Sequence, residues 1–160
     1  MNANEQIMHR FYSAFQKLDY KTMQDCYHPD AVFSDPAFGL LNAEEVKAMW
    51  EMLCKRAKDF SLSFSEILSE DEYGTCNWNA IYTFSLSGRK VVNEIKAYMK
   101  FSDGKILEHS DAFSLHKWSR QALGWKGWLL GWSGFFQKKL QAKSRKRLHE
   151  YMKSQTPKGA

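Results

Sequence analysis

Two aspartates carry the chemistry this sequence offers. Asp35 precedes Pro36 at the end of the run His28-Pro29-Asp30-Ala31-Val32-Phe33-Ser34. A residue before proline is held out of the α region, so the Asp35 carboxylate sits on extended backbone. Asp111 lies two residues after His109 and two before Phe113; in a strand these three share a face. An acid on an otherwise apolar strand face is costly unless it is paired. If both carboxylates border one apolar cavity, burial and mutual repulsion raise at least one pKa. The pair then suits proton transfer near neutral pH, with His109 as partner or shuttle. Each acid also has a plainer reading. Asp before Pro is a good turn former, and Asp111 needs only a bond to His109, Tyr82 or a helix end.

The elements that must position these residues follow from periodicity. Asn2 and Glu5 form a capping box for a first helix, with Ile7, Phe11, Phe15 and Leu18 on one face. A short second helix spans roughly Tyr20 to Tyr27, carrying Met23, Cys26 and Tyr27 inward. Asn42 and Glu45 cap a third helix that buries Val46, Met49, Trp50 and Leu53, with Leu41 and Val46 as a hydrophobic staple. After Phe60 the period becomes two. Leu62, Phe64 and Leu68 form one strand face, and Trp78, Ala80, Tyr82, Phe84 and Leu86 the next. Ser87-Gly88 is a turn. A strand with Ile95, Ala97, Met99 and Phe101 on one side then leads to Asp103-Gly104, a tight-hairpin signal. Three helices followed by an antiparallel meander is an α+β plan, in which a curled sheet around a helix leaves a cone-shaped cavity.

That order of elements and four of its motifs resemble the nuclear transport factor 2-like superfamily, in its ketosteroid isomerase and SnoaL-like polyketide cyclase branches, over residues 3–124. Asp30-Ala31-Val32-Phe33-Ser34-Asp35-Pro36 is similar to the isomerase segment that carries the general base, which places Asp35 in that role. Ser87-Gly88-Arg89-Lys90-Val91-Val92 resembles the hairpin before the strand with the oxyanion-stabilising acid. The run from Asp103 to Asp111 is similar to a SnoaL-like motif in which Asp111 is the acid–base carboxylate. Gln121-Ala122-Leu123-Gly124 resembles the closing segment.

The resemblance implies a nuclear transport factor 2-like fold: a cone-shaped, curved antiparallel sheet wrapped around N-terminal helices, here with an added C-terminal helix. It places the face of Asp111 and His109 toward the cavity. It implies a small hydrophobic or aromatic ligand among Phe11, Met49, Trp50, Trp78, Tyr82, Ala97 and Phe113, and a homodimer. The departures are chemical. The isomerase's hydroxyl donor falls at Phe11, with Tyr12 about 100° further round the helix, and its oxyanion acid falls at Ala97. A base without such donors cannot stabilise an enolate, so ketosteroid isomerisation by that route is not expected. An epoxide-hydrolase-like site needs paired Asp bridged by Arg; Arg89 lies at a hairpin turn and no other Arg is expected to face inward, so that reading is the weaker one.

The five histidines are scattered, and neither a nucleotide loop, nor zinc spacing, nor a Ser-His-Asp set is visible. No metal and no cofactor are expected. Three cysteines without a secretion signal predict buried, reduced thiols in the cytoplasm. The charge is segregated. Residues 138–160 hold eight Lys or Arg and one acid, a net +7, which leaves −2 for the other 137 residues.

Residues 1–124 therefore read as the SnoaL-like domain. Residues 125–160 read as a Trp/Gly-rich segment with a basic amphipathic helix, part of the same globule or an interface. Trp125, Trp128 and Trp132 alternate with Gly127 and Gly131, and Phe136, Leu140, Leu148, Tyr151 and Met152 form an apolar stripe. This composition suits an anionic membrane surface over residues 125–152; nucleic acid is not the expected partner. The reading preferred from sequence is a cover over the cavity mouth or a dimer contact, with the basic face simply solvated.

Overall fold

A computed structural model describes residues 1–130 and 133–156. Helices α1 (Ala3–Gln16) and α2 (Tyr20–Asp25) lead into a hairpin of β1 (Tyr27–Asp35) and β2 (Gly39–Asn42), then α3 (Ala43–Arg56). Strands β3 (Ser61–Glu70), β4 (Tyr73–Thr83), β5 (Lys90–Ser102) and β6 (Lys105–Ala112) follow, and α4 (Leu115–Leu123), α5 (Trp125–Leu130) and α6 (Gly134–Gln155) end the chain. The strands form one curved, unclosed sheet in the order β2-β1-β6-β5-β4-β3.

Local signals account for most boundaries. Asn2 and Asn42 each accept the N3 amide while Glu5 and Glu45 bond back to the caps. Asp103 and Gly104 both take positive φ, 53° and 71°, the two-residue turn that matches strand twist. The apolar sides of α1 and α3 and the inner face of β4–β6 close the core around Phe11, Phe33, Met49 and Ile106. Three free, buried thiols sit within it, and burial pushes Cys26 up to about 11 and Cys54 and Cys76 to about 12.

Five expectations need correction, the first being that Phe84 and Leu86 continue a strand face: β4 ends at Thr83, and Leu86 sits exposed in the turn that follows. The segment before α3 is a full hairpin, so the helices do not simply precede the sheet, and β1 pairs parallel with β6. Tyr27 belongs to β1 and not to α2. Leu68 faces outward, 64% exposed: a bulge between Ser65 and Leu68, with Glu66 at φ 53°, adds one residue and flips the strand's parity. Leu53 is exposed because it borders a cavity instead of the core.

Candidate active site

The parallel pairing of β1 with β6 brings the two aspartates together. Phe33 pairs with His109 and Ser34 with Ser110; Asp35 and Asp111 are the next residue of each strand, and the Asp111 charge acts on Asp35. Adjacent strands lie about 4.8 Å apart and laterally paired residues share a face. Both carboxylates consequently line one cavity of about 700 Å³ between the concave sheet, α3 and α6.

Asp111 ends a chain of directed hydrogen bonds. The Trp50 indole, which can only donate, gives its N–H to the Tyr27 hydroxyl oxygen at 2.8 Å. The Tyr27 hydrogen is thereby left for His109 Nδ1, 2.7 Å away. His109 then carries its proton on Nε2 and donates it to Asp111 Oδ1 at 2.9 Å. Trp78 Nε1 adds a second, longer bond to the same oxygen, 3.4 Å. Oδ1 therefore holds no proton, and Oδ2 is the oxygen that neither His109 nor Trp78 engages. His109 is fixed by four rings: Tyr27 and Trp50 stack on it, and Phe11 and Phe33 meet it edge-on.

Asp35 has a different environment. Its Oδ1 accepts the Ala37 and Phe38 amides at 2.9 and 2.6 Å, so the plain turn reading is correct as far as it goes. The remaining exposure of this half-buried residue is to the cavity. Burial, helped by the Asp111 charge, raises its carboxyl to about 7 against the opposing pull of the turn amides. Tyr82 lies within electrostatic reach of Asp35, and burial raises its hydroxyl. That oxygen accepts the Trp118 N–H at 2.8 Å, so its own hydrogen points elsewhere.

Of the residues singled out from sequence, Asp35, Asp111, Met49, Trp50, Trp78, Tyr82 and Phe113 line the cavity. Phe11, Ala97 and His109 lie behind its wall, fully packed or nearly so. Ala97 pairs with Asp111 across the strands, and Phe11 packs on His109. Tyr12 lies inside the core as Phe11 does, because α1 is buried over a wide arc. Tyr12 is fully buried against Phe64 and Trp78, and its hydroxyl has no hydrogen-bond partner among the described residues.

Sequence reasoning missed Asn93, a buried amide on the cavity wall. The inward alternation of Ile95, Ala97 and Met99 reaches it when extended one period back. It also missed the cavity face of α6, which brings Phe136, Leu140, Lys139, Lys143 and Arg147 to the lining. The basic face is thus not simply solvated. Arg56 and Arg147 both border the cavity, contrary to the expectation that no Arg besides Arg89 faces inward. Arg89 lies outside, donating to the Gln121 carbonyl at 2.8 Å. Among the described residues no ion pair joins an arginine to Asp35 or Asp111, so the bridged-aspartate arrangement is not formed there.

α5 packs closely on α4, since a Cβ on Gly127 would stand 1.9 Å from the Ser119 carbonyl oxygen. Gly131, Trp132, Lys158 and the Trp128 side chain lie outside the described residues. Among those described, no helix is long and apolar enough to cross a membrane.

Known proteins agree with this fold. The SnoaL-like domain family matches residues 8–109, and the chain belongs to it. A nuclear transport factor 2-like protein of unknown function from Burkholderia pseudomallei is similar, with 19% identity and a TM-score of 0.67 over 76% of this chain and 98% of that one. TerC, crystallised with polyporic acid, has 18% identity and a TM-score of 0.60 over 70% and 92%. A limonene-epoxide-hydrolase-like enzyme of M. tuberculosis has 15% identity and a TM-score of 0.64 over 79% and 92%. Among curated protein sequences none matches this chain.

Proposed function

We propose that this protein binds a small, mostly apolar molecule, ring-bearing or hydrophobic, in the cavity and transfers a proton on it without a cofactor. Asp111, aimed by His109 and Trp78, is the base. Asp35, partly protonated near pH 7, is the acid at a neighbouring atom, and Tyr82 offers an O–H to a ligand oxygen. The observation that carries this reading is the placement of two unlike carboxyls on one cavity. One has an oxygen reserved as acceptor by two N–H donors, and the other is raised to about 7. The missing donors at Phe11 and Ala97 are offset by Tyr82 and by protonated Asp35.

The test is hydrogen–deuterium exchange at carbon next to a carbonyl, followed by NMR over a panel of cyclic and aromatic ketones in D2O. Wild-type protein is expected to accelerate exchange for at least one compound, and Asp111→Asn to lose 100-fold or more of that rate. Ligand binding with no acceleration anywhere would leave a binding protein and remove the enzymatic role.

A second reading, an interaction module, is favoured by exposed Trp125, Leu129 and Phe135 beside the basic helix. Under it, residues 125–152 attach to an anionic membrane surface, and co-sedimentation with anionic vesicles would fall when those three are changed to Ser. A homodimer is supported by the outer strip of β5, where the opposite charges of Glu94 and Lys96 lie between apolar Val92 and Tyr98; light scattering reads it directly. Buried free thiols support a reducing, cytoplasmic setting.

A further inference from the structure

The cavity is apolar in its depth and cationic at its rim. Lys139, Lys143 and Arg147 recur every four residues, so they form one row along α6, and all three line the cavity. Arg56 and Lys58, at and just beyond the end of α3, line it too. None of these five pairs with a carboxylate among the described residues, whereas Lys55, one residue from Arg56, is held by Glu51. Inside, the lining carboxylates are Asp111 and Asp35, and Asp35 is partly neutral near pH 7. The lining therefore carries an uncompensated positive charge beside a wall of Phe15, Trp50, Trp78 and Phe113.

We infer that the ligand is an amphipathic anion: an apolar chain or ring body in the cavity, with a carboxylate or phosphate held at the rim by α6 and the end of α3. This rests on the proposal that the cavity binds a small apolar molecule and adds the class of that molecule. Five cations converging on an apolar opening favour one negative head and disfavour a cationic one. The volume, about 700 Å³, is in the range that encloses a drug- or lipid-sized body. The family match ends at residue 109, so the selecting row on α6 belongs to the part of this chain beyond it.

Titration calorimetry with dodecanoate, dodecyl phosphate and dodecan-1-ol, below their micelle concentrations, separates the two layers of the argument. Wild-type protein is expected to bind at least one anion ten-fold or more tightly than the alcohol, with the advantage shrinking as salt rises. The triple variant Lys139→Gln, Lys143→Gln, Arg147→Gln should lose that ten-fold advantage while alcohol binding changes less than two-fold. A matched triple on the outward side, Lys138→Gln, Lys146→Gln, Lys153→Gln, should leave both unchanged. Should the first triple fail the circular-dichroism check for folding, Lys143→Gln alone, an exposed position, is expected to cost about three-fold for the anion. Equal binding of alcohol and anions, or equal losses from the two triples, overturns the inference and leaves an apolar pocket standing. No binding of any of the three compounds overturns the pocket reading itself.

Discussion

Strands β1 and β6 and helix α6 meet the same cavity with opposite electrostatics. The strand pair delivers two carboxylates through one parallel register, backed by a buried network of Trp, Tyr and His. The helix delivers cations through a four-residue spacing on a surface that is otherwise exposed. The strand pair is rigid and its polar atoms are out of water, so a change there alters protonation and stability together. Along the helix, the groups are long, hydrated and screened, so a change alters affinity and little else. Depth and rim can therefore be altered separately, one through protonation and stability and the other through affinity.

The comparison is broken most strongly in the network. His109→Phe fills the ring cage but takes the acceptor from the Tyr27 O–H and leaves Asp111 Oδ1 with only the longer Trp78 bond. About 3 kcal/mol of stability is expected to go, read by chemical denaturation, and any exchange activity should fall with it. An unchanged midpoint would mean the network is not formed in solution. Next is Leu148, fully buried between α6 and the main core. Leu148→Ala should cost 2–4 kcal/mol within a single unfolding transition. Two transitions, with the upper one unmoved, would make the extension a separate unit and weaken the claim that α6 is a wall of the site. Gly127→Ala, whose Cβ would meet the Ser119 carbonyl, should cost about 1–3 kcal/mol through α4 and α5, leaving the carboxylates untouched.

What could be read from the sequence divides along the same line. The caps at Asn2 and Asn42, the Asp103-Gly104 turn and the inward row Ile95, Ala97, Met99 and Phe101 are local, and each is found where expected. Alternation also placed His109 and Asp111 on one face, and both are buried. Alternation failed at Leu68, because a bulge changes parity and nothing near Glu66 announces one. It could not show that β1 runs parallel to β6, since that register joins residues 76 positions apart, as in the Ser34–Ser110 hydroxyl contact. The facing of α6 was hidden for another reason. Its cations surround the helix, with Lys138 and Lys146 exposed and Arg147 half-buried, and only tertiary packing decides which of them meet the cavity.

The smallest expected effect is also the one that separates the two carboxyls most sharply. The folded carboxyl of Asp35 is raised to about 7, while the unfolded one titrates near its ordinary value of 3.8. Between those values the folded chain keeps a proton that the unfolded chain has lost. Stability due to this group therefore falls as pH rises from about 4 to about 7, and the penalty is complete above that. The full displacement corresponds to at most about 4 kcal/mol, and solvent screening of this half-buried group reduces it to about 2 kcal/mol. Asp35→Asn keeps the Oδ1 acceptor for Ala37 and Phe38 but cannot ionise, so it should be more stable than wild type at pH 8 by about that amount, and nearly equal only about one unit below the ordinary value of 3.8. Asp35→Ala loses the turn acceptor and should be less stable at both. Because the Asp111 charge contributes to the rise, Asp111→Asn should move the wild-type pH slope toward lower pH. A slope indifferent to Asp111 would mean the two carboxyls do not sense each other, and the acid–base pair would reduce to one base and one turn.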